Sequence, residues 1–432
     1  MKTLKTYLMP LFLLMLGSSY ALAGAGEEAP TLDTGDTAWM LTSTVLVLLM
    51  CLPGLALFYG GLVRSKNVLS LFVQCFAMAG VMSVLWVVFG YAVAAGSGGC
   101  QYFGWDKTFL FLNHIQEETL NGTIPESVWV TFQMTFIIIS PAIIVGAFAE
   151  RMKFSAVLVF TVVWTVLSYL PMWHMAWGGG LFHHWGAIDF AGGNVVHINA
   201  GIAGLVACIF VGKRSGYPGP ALVPHNVPFV LIGAALLWVG WFGFNAGSAA
   251  GAGGSAGMAM LTTQVATAIA VVVWMGLEWV ISKKPTAVGA ATGAVAGLVA
   301  ITPAAGSTDV AGALAIGAIS SGVCYFAATK LKHALGYDDS LDVFGVHGVG
   351  GIVGALLTGV FIREGYDASG GVAQLMVQAK SVMVTIVWSG AAAAIAMMVA
   401  KLLCQGLRVE QEVEHGGIDR EEHGEEAYNW DA

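Results

Sequence analysis

Two histidines in apolar surroundings carry the most specific chemistry in this chain. His197 and His347 each lie within a long hydrophobic stretch. Their neighbourhoods match: His197-Ile198-Asn199-Ala200-Gly201-Ile202-Ala203-Gly204 and His347-Gly348-Val349-Gly350-Gly351-Ile352-Val353-Gly354 share the pattern H-x-x-[AG]-G-I-[AV]-G. A neutral imidazole has one donor and one acceptor nitrogen, so a stacked pair can pass a hydrogen bond between rings and to a small polar solute. An ordinary pKa of about 6.5 also suits proton transfer. In an apolar passage a charged solute loses its hydration at heavy cost, whereas a neutral amine such as ammonia does not. Two such rings therefore favour a deprotonated amine and oppose hydrated metal ions. The plainer alternative is a pair of packed core histidines. The shared motif argues against it, because ionisable groups at membrane depth are costly and face the protein interior or a pathway.

Aromatic and polar residues gather near the ends of neighbouring apolar stretches. Trp177 ends one, Phe244 and Ser248 end another, and Phe136 precedes Ser140-Pro141 in a third. Singly, each reads as an interfacial anchor or a core residue. Together they compose a cation site, since aromatic faces attract cations and a serine hydroxyl accepts a hydrogen bond. Asp189 precedes His197 and fits two compatible roles, a helix cap and a buried carboxylate that favours a nearby cation. Asp342, ahead of His347, reads as structural. His174, His183 and His184 raise a competing reading, an intramembrane metal or haem enzyme using them with His197 and His347. They lack carboxylate partners at ligand spacing, so no cofactor, metal or enzymatic activity is expected.

The elements that must position these residues are membrane spans. The 432 residues are 57% hydrophobic and only 10% charged, against about 25% charged in soluble domains. Most of the surface must therefore meet lipid. Apolar runs of about 20 residues, the length that crosses the hydrocarbon layer, are expected near 39–62, 68–95, 126–149, 154–177, 194–212, 227–248, 258–281, 286–304, 309–332, 343–362 and 372–404. An all-α polytopic membrane protein of eleven transmembrane helices follows. The net charge of -8 gathers in termini and loops, without a basic patch for nucleic acid.

Loop charge sets the orientation. Alternate loops carry Arg64 and Lys66, Arg151 and Lys153, Lys213 and Arg214, Lys283 and Lys284, and Lys330 and Lys332. The others hold clearly only Lys107 and Arg363, with Lys380 near the outer part of the last span. By the positive-inside rule the N-terminus lies outside and the C-terminus in the cytoplasm. Spans one to five and six to ten then form two inverted five-helix repeats followed by a final helix. Inversion would stack His197 and His347 along one central path. Lys2, Lys5, the run Leu8 to Leu16 and Ala21-Leu22-Ala23 read as a signal peptide over 1–23. A periplasmic N-terminus over 24–38 follows, then the transport domain over 39–404 and a cytosolic tail over 405–432. The six cysteines suggest no disulfide framework, and Asn121-Gly122-Thr123 reads as a chance glycosylation match. Gly247 to Gly257 reads as a plain connector.

These residues resemble the ammonium transporter family, in its bacterial Amt branch. The likeness rests on Phe132-Gln133-Met134-Thr135-Phe136, Gly146-Ala147-Phe148-Ala149-Glu150-Arg151, Trp177-Gly178-Gly179-Gly180, Asp189-Phe190-Ala191-Gly192-Gly193, His197-Ile198-Asn199-Ala200, the run from Gly240-Trp241 to Gly247-Ser248, and Asp342-Val343-Phe344-Gly345-Val346-His347-Gly348. The resemblance implies a homotrimer in the cell inner membrane with one pore per subunit. It makes Phe136, Trp177 and Ser248 the external ammonium site, with Asp189 supporting it. Phe136 and Phe244 become a gate, His197 and His347 the twin histidines of the pore, and Trp241 a pore-side aromatic. The tail, with Gly406-Leu407-Arg408-Val409, Gly417-Ile418-Asp419 and His423 to Tyr428, resembles the segment that couples subunits and meets cytosolic PII signalling proteins. A fused sensor domain is not expected. The implied function is ammonium recruitment, deprotonation, and passage of ammonia with the proton on a separate route. A passive ammonia channel and an ammonium-sensing receptor are the alternatives.

Overall fold

The computed structural model describes residues 31–218, 222–366, 368 and 370–429. The segment expected to be a signal peptide, 1–23, lies outside the described residues. Helix accounts for 74% of the described residues, as it must where no water is at hand to satisfy backbone N–H and C=O groups. Nine helices among the described residues are long and apolar enough to cross a membrane: α1 (Thr34–Leu62), α2 (Ser65–Ala95), α3 (Glu126–Phe148), α4 (Phe154–His184), α5 (Gly193–Val211), α6 (Val227–Gly247), α7 (Gly254–Ser282), α9 (Val310–Leu335) and α11 (Gly371–Leu403). Two shorter apolar helices complete the set, α8 (Ala287–Ile301) and α10 (Phe344–Val360).

Local chemistry explains where these helices begin and break. Asp33 caps α1 by accepting a hydrogen bond from Asp36 N at 2.8 Å, so the helix starts ahead of the expected residue 39. Helix α4 runs past the expected 177, interrupted at residues 178–180. Asn226, Thr286 and Asp309 cap α6, α8 and α9 through their side-chain oxygens. Between α2 and α3 lie two small antiparallel ribbons, β1 (Gly98–Cys100) with β2 (Phe103–Trp105) and β3 (Leu120–Asn121) with β4 (Ile124–Pro125). His174, expected near the surface, is buried beneath the first ribbon, with ring nitrogens 2.9 Å from Ala94 O and 3.1 Å from Cys100 O.

The centre of the molecule is the crossing of α5 and α10. In the apolar stretches of α3 and α5, 83% and 78% of residues are buried, against 22% in α7. Close approach at the crossing depends on two glycines. A Cβ at Gly201 would lie within 3 Å of the Gly348 backbone, and one at Gly351 about 3 Å from His197 and Ile198. Small residues of this kind let membrane helices pack backbone to backbone.

The C-terminal tail folds back on one end of the bundle. Asp419 accepts from Leu69 N at 2.9 Å and Ser70 N at 2.8 Å, so it caps α2 from outside the helix. Glu422 accepts from Phe154 N at 2.9 Å at the start of α4. Glu414, buried, accepts from Ser215 N at 2.7 Å and from Arg408 Nη2 at 2.5 Å. The tail thus satisfies helix-end N–H groups that have no intrahelical partner.

Candidate functional site

A line of side chains runs from Trp177 to His347. Trp177 is half-buried, and its indole Nε1 donates to the main-chain oxygen of Asp189 at 2.8 Å. Phe136 meets Trp177 edge-on, with ring centroids 6.0 Å apart. Phe136 then stacks on Phe244 at 4.2 Å and 23°, and both rings are fully buried. Ser248 Oγ donates to Phe244 O at 2.8 Å, which leaves its lone pairs free to accept. Ser140 does likewise to Phe136 O at 2.7 Å.

Beyond the phenylalanine pair stand the histidines. His197 lies 5.9 Å from Phe244 and stacks on Trp241 at 5.3 Å. Trp241 is held by Nε1 donating to Thr302 Oγ1 at 2.9 Å. The two imidazoles have centroids 5.4 Å apart, and Nδ1 of His347 is 3.3 Å from Nδ1 of His197. Nε2 of His197 is buried without a hydrogen-bond partner among the described residues. It borders a cavity of about 10 Å³ whose other walls include Ile139, Ile143, Leu237 and Val295, and a space of that size holds about one water-sized molecule. His347 also borders a second, larger cavity of about 360 Å³, lined by Tyr59, Arg214, Tyr217, Lys332 and Asp342 among others.

Both histidines sit in π-helical turns, Gly193–Ile198 opening α5 and Phe344–Gly348 opening α10. Such turns re-aim side chains and recur at functional sites. The first is organised by Asp189. Its Oδ1 accepts from Gly192 N at 2.9 Å and Gly193 N at 2.5 Å, and its Oδ2 from Asn194 N at 2.8 Å and Val195 N at 3.2 Å. Gly192, with φ at 118°, supplies the left-handed turn that lets these four N–H groups converge. Burial pushes the Asp189 carboxyl above its usual range, and the four N–H bonds oppose that push. The carboxyl is thus a helix cap buried beside Trp177.

A family model described as the Ammonium Transporter Family matches residues 38–428. This chain belongs to that family. Relatives named "Ammonium transporter" include one from Aquifex aeolicus, 46% identical and covering 96% of this chain and 98% of its own. Another from Bacillus subtilis is 44% identical, covering 92% and 99%. Among solved structures, one described as "Sensor Amt Protein" has a TM-score of 0.85 at 30% identity, covering 90% of this chain and 98% of its own. Mep2 from Candida albicans has a TM-score of 0.81 at 31% identity and 88% coverage of each chain. As a member of the ammonium transporter family the chain is a multi-pass membrane transporter, and its relatives are named as transporters rather than enzymes.

Within this ammonium transporter the residues singled out from the sequence form one line: Trp177, Phe136, Phe244, His197 and His347 are linked by successive ring contacts, with Trp241 stacked on His197 at its side. Asp189 joins it through its bond from Trp177, and Ser248 through Phe244. His183 and His184 are exposed and stand apart from it. Two neighbours escaped the sequence reading. Thr302 holds Trp241 and carries no motif. Asp339 accepts from Phe344 N at 2.7 Å and stands eight residues before His347, as Asp189 stands eight before His197. That equal spacing was the available signal. Asp342 instead pairs with Lys332 at 2.5 Å.

Proposed function

We propose that this transporter recruits ammonium at the Trp177 end, removes its proton, and passes ammonia along the His197–His347 line while the proton takes another route. The observation that carries the reading is the 3.3 Å contact between the two Nδ1 atoms, behind a stacked Phe136–Phe244 pair. Trp177 and Phe136 offer ring faces to a cation, Ser248 offers an acceptor, and Asp189 adds negative charge. The phenylalanine pair closes the way to a hydrated ion. Beyond it, one imidazole donates to the other, so the pair shows one acceptor and one donor Nε2 to the small cavity. Ammonia can accept and donate there, whereas potassium has no proton to lose and no compensation for its lost hydration.

The same reading has the Trp177 end facing outside and the tail end in the cytoplasm, in agreement with the basic loops. It has eleven spans, counting α8 and α10, as two inverted five-helix repeats with α11 appended. The reciprocal packing of Gly201 and Gly351 supports that symmetry, because each fills the crossing against the other's histidine turn. It further includes a cleaved signal peptide, a homotrimer in the inner membrane surrounded by lipid, and a PII signalling protein as the partner at the tail end.

The test is ammonium-evoked current from purified protein in proteoliposomes, with potassium as the control ion. Current for ammonium and none for potassium is expected. No current, with fast internal alkalinisation under an ammonia gradient, would leave a passive ammonia channel. Neither signal from folded protein would leave an ammonium-sensing receptor, whose output would run through the docked tail.

A further inference from the structure

The carboxylates eight residues ahead of the two histidines share a position and differ in what surrounds them. Asp189 and Asp339 are both buried, and each caps the π-helical turn that carries a histidine. At Asp189 each oxygen already accepts two N–H bonds, so a proton arriving there must displace a donor. At Asp339 Oδ2 accepts from Phe344 N, and the Val343 N–H also faces the carboxyl. Its Oδ1 is buried with no partner at hydrogen-bonding geometry among the described residues. An open buried acceptor is costly, and a carboxyl buried in the loop between α9 and α10, beside the helix that carries His347, is placed to exchange protons with that end of the line.

The neighbourhood suits proton exchange. Ser340, Leu341 and Asp342 line the 360 Å³ cavity that His347 borders, while Asp339 stands one layer behind that wall, off the line that ammonia would take. The ionisable groups facing it are Asp342, Lys332, Tyr337, Tyr59 and Cys208. Lys332 Nζ bridges the wall, 2.5 Å from Asp342 Oδ1 and 3.4 Å from the main-chain oxygen of Asp339. Burial first, and then the Asp342 charge, pushes the Asp339 carboxyl up to about 6, against the opposing pull of Lys332 and the N–H groups of Phe344 and Val343. A group so tuned changes protonation near the pH of a cell interior.

We infer that Asp339 is the proton-exchanging group at the Lys332 end, holding the proton given up by ammonium and returning it through Asp342 and Lys332 to ammonia that has passed His347. One ammonia and one proton arrive separately and leave as one ammonium, and Asp339 is left as a carboxylate ready for the next proton. The inference rests on the proposed charge-carrying transport. It makes two residues in equivalent positions do different work: Asp189 as a fixed charge, Asp339 as a titrating one.

The experiment is Asp339→Asn in proteoliposomes with two readouts, ammonium-evoked current and alkalinisation driven by an ammonia gradient. Asn keeps an acceptor for Phe344 N and so keeps the cap. The current is expected to fall at least about tenfold while ammonia flux stays within about twofold, in line with the usual worth of a positioned proton-transfer group. The wild-type current should change as internal pH moves between about 5 and 7, and the variant's residual current should not. A variant with wild-type current would overturn the inference. So would equal loss of both signals in monodisperse protein, which would mean a structural role only. A wild type without current would sink the charge-carrying reading and Asp339 with it, whereas a silent variant beside an active wild type keeps the two apart.

Discussion

Nδ1 of His197 and Nδ1 of His347 stand 3.3 Å apart in a buried setting, so one ring donates and the other accepts, and the two Nε2 atoms are left with opposite roles. The pair is a polar strip that offers hydrogen bonds without a fixed charge. Replacing either histidine by aspartate adds one. A unit charge about 4 Å from a cation is worth about 4 kcal/mol at an effective dielectric of about 20. In the proposed pore His197→Asp and His347→Asp should therefore admit potassium, lowering ammonium-over-potassium discrimination at least about tenfold. Potassium current in proteoliposomes checks this. Full ammonium current with potassium still excluded in both variants would remove the twin-histidine filter.

At the Trp177 end the proposed cation site is built from ring faces. Trp177→Leu removes one face and the hydrogen bond to Asp189 O. Cation–ring contacts contribute about 0.5–2 kcal/mol, so the concentration giving half-maximal current should rise about threefold to thirtyfold. Maximal current should change much less, because the histidine pair is untouched. A loss of maximal current at unchanged half-saturation would contradict a recruiting role.

The helices are legible from the residues because hydropathy and length decide them. The apolar run at 126–149 becomes α3 over Glu126–Phe148. Ends are less legible, since they depend on what packs there: Asp33 draws α1 back to Thr34, and the tail caps α2 and α4 from far along the chain. At the site, the histidines and aromatics stand out by type and motif. Asp339 does not, because Asp342 lies nearer the histidine motif and draws the eye. The π-helical turn is what sets the acid eight residues away, and that turn has no sequence signature of its own.

Asp189 accepts four backbone N–H bonds, and its two obvious replacements should separate structure from charge. Asp189→Ala strands four buried donors, each costing about 1–3 kcal/mol, so little folded protein is expected in a detergent stability assay. Asp189→Asn keeps acceptor capacity on one oxygen and removes the charge. It should yield more folded protein than Asp189→Ala yet recruit ammonium poorly, read as a raised half-saturation. Wild-type half-saturation in folded Asp189→Asn would show that the carboxylate is a cap and nothing more.

At the tail end, acid should unlock a buried ion cluster. Glu150 bonds Arg64 at 2.7 Å and Arg214 at 2.9 Å, and Arg214 also bonds Asp338 at 2.8 Å. Burial works to raise both carboxyls, but the Arg64 and Arg214 charges outweigh it at Glu150, and Arg214 does so at Asp338. Both groups are held below their ordinary 4.5 and 3.8. Depressed carboxyls contribute stability that is fully present above the unfolded-state pKa and lost as pH falls through the lower folded-state value. Thermal stability of the detergent-solubilised protein should thus hold down to about pH 5 and drop steeply below about pH 4. Glu150→Gln should lower stability at neutral pH, because Arg64 and Arg214 lose a buried partner, and should flatten the acid drop. Arg64 Nη2 also donates to Glu414 O at 3.1 Å, so the same acid step should free the tail, read as faster cleavage by an acid-active protease. A tail that stays protected while the bundle loses stability would mean that the cluster and the tail docking are independent.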